Sequence, residues 1–163
     1  MSVIIRGMGG ASGGSNGQYL GGTDLSSSAT TSDEYAENKV ISKATSSSAA
    51  TTLFENTVKD IKLGTYAVMV RLKSSNITST NNLVNVKAYL NSSSGTKLGE
   101  VNIKANMFDA ANKYQTFGFI VNLNDKKGSN LYLNASLPKN ATSITVAVDY
   151  VQIFPAFCSV SSL

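Results

Sequence analysis

Residues 64–73 read Gly64-Thr65-Tyr66-Ala67-Val68-Met69-Val70-Arg71-Leu72-Lys73. In an extended chain successive side chains point to opposite faces, so Tyr66, Val68, Val70 and Leu72 share one face. The same alternation returns at Val84-Asn85-Val86-Lys87-Ala88-Tyr89-Leu90, Leu98 to Ala105, Gln115 to Leu123, Leu131 to Leu137 and Ile144 to Val148. Val40-Ile41 and Thr52 to Val58 read as two shorter strands. The phase slips near Asp149-Tyr150, where Val148 and then Val151 and Ile153 point inward; one extra residue there, a β-bulge, restores the register. A second irregularity follows Leu98. Turn chemistry separates the segments: Ser74-Ser75-Asn76, Ser92 to Gly95, Asn124 to Gly128 and Pro138-Lys139-Asn140. No segment sustains helical spacing. About eight short strands at this spacing predict an all-β chain, an antiparallel β-sandwich of the jelly-roll type.

The patterned body spans 37–163, and residues 1–36 read differently. They hold eight of the chain's 13 glycines and the polar run Ser26 to Asp33, without hydrophobic periodicity. Alone, such a stretch is a flexible Gly/Ser-rich linker. Its apolar patches are Val3-Ile4-Ile5 and Tyr19-Leu20. They suggest an arm that anchors the body to a partner, with Val3, Ile4 and Ile5 adding a strand to an exposed edge.

Hydrophobic residues make up 42% of the 163, enough for a core, while charged residues make up 15%, below the roughly 25% of average proteins. Ser, Thr and Asn take their place. The net charge of +4 is scattered, with no basic run beyond Lys126-Lys127, which argues against a nucleic-acid partner. No stretch approaches the ~20 apolar residues of a membrane span, and the N-terminus lacks the apolar run of a secretory signal. A neutral hydroxyl- and amide-rich surface without an export signal fits a piece of a secreted protein or a protein that leaves its cell within a particle.

There is no histidine, and Cys158 is the one cysteine. The commonest general base and an activated nucleophile are both missing, and the scattered carboxylates form no facing pair, so the chain is expected not to be an enzyme and to need no cofactor. Four Asn-x-Ser/Thr triplets start at Asn76, Asn91, Asn134 and Asn140; composition alone predicts about four, so they carry no information. Tyr89, Tyr114 and Tyr132 fall at outward or edge positions. Sugar sites use flat rings to stack and amides to bond hydroxyls, so Tyr89 and Tyr132, with Asn85, Asn91 and Asn134 beside them, form a candidate carbohydrate surface. The alternative is that these rings cover the outer sheet face or an oligomer contact.

Three stretches resemble the galactose-binding-like jelly roll of carbohydrate-binding modules: Lys62 to Arg71, Asn112 to Phe119 and Val148 to Ile153. The resemblance spans roughly residues 37–156. It implies a structural calcium ion, with Asp149 at the final-strand position as one ligand and Glu34 or Glu37 at the domain entrance as a second. Domains of this kind also look like bacteriophage virion parts such as head fibres, capsid decorations and tail adhesins. That likeness implies a homo-oligomeric virion protein attached through its N-terminal arm and touching host-surface glycans. The alternative is an extracellular carbohydrate-binding module of a secreted glycan-degrading enzyme.

Overall fold

A computed structural model describes residues 2–7, 18–26, 31–124 and 129–161. Ten strands and two short helical turns follow in the order β1 (Ser2–Gly7), β2 (Gln18–Gly21), α1 (Gly22–Leu25), β3 (Ile41–Ala44), β4 (Thr51–Val58), β5 (Gly64–Ser74), β6 (Asn82–Leu90), β7 (Lys97–Lys104), a 3-10 turn (Ala105–Met107), β8 (Gln115–Leu123), β9 (Leu131–Leu137) and β10 (Thr145–Ser161). They form two antiparallel sheets. One has four strands in the order β4-β9-β6-β7; the other is built along β10, with β5 and then β8 on one path and β1, β2 and β3 on successive stretches of β10. This is the expected antiparallel β-sandwich. Among the described residues no helix is long and apolar enough to cross a membrane.

The core is the set of alternating residues read from the sequence. Val68, Val70 and Leu72 of β5 meet Val84 and Val86 of β6 and the leucines of β9, all essentially inaccessible. Removing such side chains from water, at about 25 cal/mol per Å2, is the main force closing the sandwich. Phe119 packs against this core but stays half-buried. Its ring lies over Gly99, where a Cβ would come within 2.8 Å of the ring. Its truncation therefore costs less than that of a fully enclosed phenylalanine.

Both register slips are bulges. Val148 pairs with Leu72 and Tyr150 with Arg71, leaving Asp149 as the extra residue. Ala88 pairs with Gly99 and Tyr89 with Lys97, leaving Leu98 as the extra one.

The eight strands expected from periodicity correspond to β3–β10. The other two come from the Gly-rich stretch read as an arm. Leu20 of β2 pairs with Val151 of β10, and Leu25 of α1 is buried in the core. Pairing of this kind needs only backbone N–H and C=O groups, which an open strand edge supplies and which leave no hydrophobic period. Residues 8–17 and 27–30, the most glycine- and serine-rich parts of that stretch, lie outside the described residues.

The β6–β7 turn holds one end of the four-stranded sheet in register. Asn91, at φ +66°, and Asn130 exchange two hydrogen bonds that keep the ends of β6 and β9 in step. Gly95 closes the turn with its N–H on Ser92 O, and a Cβ there would meet Leu90 O at 1.7 Å. Gly95→Ala is expected to cost about 1–3 kcal/mol because the clash is with backbone that must move. Chemical denaturation measures it, and an unchanged midpoint would contradict the turn geometry.

Candidate functional site

The outer face of the four-stranded sheet brings together the residues singled out for sugar binding. Register builds the face in rows. Tyr89 stands opposite Tyr132, Lys87 opposite Asn134, and Asn85 opposite Ser136; β4 adds Thr57 beside Tyr132 and Glu55 beside Asn134. The Tyr89 and Tyr132 rings are 6.2 Å apart between centroids and tilted by 51°. Tyr132 OH donates to Glu55 Oε1 at 2.7 Å, and Asn134 Nδ2 donates to the same oxygen at 3.1 Å. Burial and the bond to Glu55 raise the Tyr132 pKa above the usual tyrosine value. Asn85 Oδ1 is buried without a hydrogen-bond partner. The result is an open strip on which the Glu55 and Lys87 charges offset each other. Two rings can stack on sugar faces, while a carboxylate, an amide and an ammonium can bond hydroxyls. Glu55 was not among the residues read from the sequence. Its place depends on the irregularity between Thr52 and Phe54 that sets the phase of β4 against β9.

A second concavity lies on the other sheet, and sequence reading missed it. It encloses about 520 Å3 and is lined by Tyr35, Arg71, Ala111, Asn112, Lys113 and Tyr114. Arg71 stacks on the Tyr114 ring at 4.6 Å, a cation–π contact. Asp33 accepts hydrogen bonds from Tyr114 OH, from Tyr35 N and from Lys73. The Lys73 bond, more than the others, lowers the Asp33 pKa below the usual aspartate value. Burial raises that of Tyr114. The signal available in the sequence was Arg71 itself, a cation on the outward phase of a core strand. Its partners lie too far along the chain to be paired with it by pattern.

Asp149 was expected to hold calcium with Glu37 or Glu34, and the residues do not fit that ion. The Asp149 side chain is fully buried, and its two oxygens accept from Glu37 N at 3.1 Å, Asn38 N at 3.0 Å, Asn38 Nδ2 at 3.3 Å and the Arg71 guanidinium. The Glu37 carboxylate instead receives Tyr19 OH at 2.9 Å, and Glu34 raises the Tyr35 pKa above the usual tyrosine value. Calcium takes six to eight oxygens at about 2.3–2.6 Å, and here a guanidinium stands among the donors. No group of three or more metal-ligating side chains exists among the described residues.

Val3, Ile4 and Ile5 lie in β1, opposite Val160, Ser159 and Cys158 of the chain's own last strand. Their backbone pairs within the chain, not with the separate partner edge expected of them. The register runs from Ser2 opposite Ser161 to Gly7 opposite Ala156.

No protein-family model and no curated protein matches the chain. Solved structures do. A family 4 carbohydrate-binding module superposes at TM-score 0.53 and 16% identity, over 88% of this chain and 90% of that one. The C-terminal family 6 module of LamC, a marine laminarinase from Zobellia galactanivorans, gives 0.48 and 13% over 85% and 99%. The VP2 subviral particle of infectious bursal disease virus gives 0.45 and 10%, over 84% of this chain and 32% of that one. The chain thus shares the β-sandwich jelly-roll fold of that family 4 module, and at 16% identity the likeness speaks for the fold alone.

Proposed function

We propose that the chain is a non-catalytic glycan-binding domain whose ligand lies across the outer face of the four-stranded sheet. One observation carries the reading: Tyr89 and Tyr132 stand side by side above a row of Glu55, Asn134 and Lys87. A flat surface of this kind suits an extended run of sugars more than a single buried ring. The test is a glycan array probed with the multimerised domain. Retention of oligosaccharides is expected, and a domain that retains none would leave a purely structural protein.

The pocket of Tyr35 and Tyr114 supports a second placement of the same activity, because it is the more enclosed of the two surfaces. Tyr114→Ala separates the placements: it is expected to leave array binding intact, whereas loss of binding would move the site to the pocket.

For the setting, we favour a displayed virion accessory protein, homo-oligomeric through particle symmetry, over a module of a secreted enzyme. The pairing of β1 with the last stretch of β10 leaves a two-stranded extension through which attachment is proposed. Removing residues 1–17 is expected to preserve the β-type circular dichroism, since β2 begins at Gln18, and to abolish attachment. A truncated chain that still co-purifies with its assembly would contradict the anchor.

A further inference from the structure

We infer that Arg71 is the built-in cation of this domain: it holds the 33–38 segment to the β10 bulge in place of a metal, and so positions Tyr35 as a wall of the pocket.

The inference rests on the contacts at one carboxylate. The bulge leaves Asp149 outside the strand register, and its side chain is fully buried. An ionised carboxylate there needs both a counter-charge and a full set of donors. It has both. Two backbone N–H groups, from Glu37 and Asn38, and the Asn38 amide satisfy it from one side, and Arg71 supplies the positive charge from the other. A carboxylate accepts about four hydrogen bonds, and Asp149 receives four. The guanidinium also reaches past the carboxylate, with Nη1 and Nη2 each donating to Tyr35 O at 3.2 Å. One planar cation thus joins β5, the β10 bulge and the 33–38 segment, with the Tyr114 and Tyr150 rings at 4.6 and 6.0 Å from its centre. A guanidinium does not deprotonate and presents its donors as a rigid fork. Calcium placed on Asp149 would face this positive charge and would have to displace its hydrogen bonds.

The test needs no glycan ligand. Thermal unfolding of the full chain is followed in calcium, in magnesium and in EDTA, together with amide hydrogen exchange of Glu37 and Asn38. The parent is expected to melt at the same temperature in all three. Arg71→Gln is expected to melt lower, by on the order of 5 °C, since it strands a buried carboxylate. Its Glu37 and Asn38 amides are expected to exchange at least about tenfold faster, while the β6 and β9 amides keep their protection at temperatures well below the melt. Arg71→Lys keeps the charge opposite Asp149 without the fork, so it is expected to recover part of the midpoint and to leave the two amides fast. It also serves if Arg71→Gln does not fold. A parent stabilised by calcium, or unchanged exchange at Glu37 and Asn38 in both variants, would overturn the assignment.

Discussion

Tyr132→Ala is expected to weaken oligosaccharide binding by at least about tenfold without unfolding the domain. Stacked aromatic anchors dominate small binding surfaces, and losing one commonly costs upward of about 2 kcal/mol. Tyr132 lies opposite Tyr89 at the centre of the face, and its hydroxyl also holds Glu55 in place at 2.7 Å. Two effects are therefore lost together: the ring surface and the orientation of a carboxylate that would accept sugar hydroxyls. Tyr132→Phe separates them, keeping the ring and releasing Glu55. It is expected to fall between the parent and the alanine variant, with Tyr89→Ala close to the latter. Isothermal titration with the best array ligand measures all three. Full affinity in both Tyr89→Ala and Tyr132→Ala would remove the site from this face.

One residue further along the same strand the expected effect changes kind. Leu133 is completely buried and pairs with Asn56 on one side and Ala88 on the other. Leu133→Ala is expected to cost about 3–5 kcal/mol, the transfer free energy of the lost methyl groups plus a cavity that close-packed neighbours cannot fill. That is a large share of the roughly 5–15 kcal/mol that holds a domain folded. A lower denaturant midpoint with an unchanged slope is the expected signature. Where the variant remains folded, its affinity for glycan should match the parent's. Neighbouring substitutions that separate binding from stability in this way are what a period-two strand requires, and a stability loss in Tyr132→Ala equal to that of Leu133→Ala would contradict the assigned faces.

Elements whose side chains report their own environment were legible in the sequence. The alternation of β5 and β9, and the slips at Leu98 and Asp149, can each be seen within a dozen residues and appear at those places in the structure. Elements held by backbone alone were not. Gly21 and Gly22 carry no side chain to show a phase, yet Gly21 pairs with Tyr150 and Gly22 is buried. Distant pairings were also hidden. Asp149 was read as a metal ligand through the family resemblance, which rests on a local match along the last strand. That its charge is met by Arg71, 78 residues earlier, and by the backbone of Glu37 and Asn38, more than 110 residues earlier, is not. The Tyr89–Tyr132 face lay between these cases: outward phase gave each ring its side of the sheet, and only the β6–β9 register placed them together. The pocket draws on residues 35, 71 and 111–114, and no local pattern joins them.

The central claim, that glycan binds across the four-stranded sheet, is tested most directly by mapping backbone amide shifts of the isotope-labelled domain during titration with an oligosaccharide retained on the array. Saturable shifts are expected at Lys87, Ala88 and Tyr89 on β6, at Tyr132, Leu133 and Asn134 on β9 and at Glu55 on β4, with Asp33 to Asn38 and Ala111 to Tyr114 unmoved. Shifts confined to Ala111 to Tyr114 and Tyr35, or saturation without any change on β6 and β9, would contradict it.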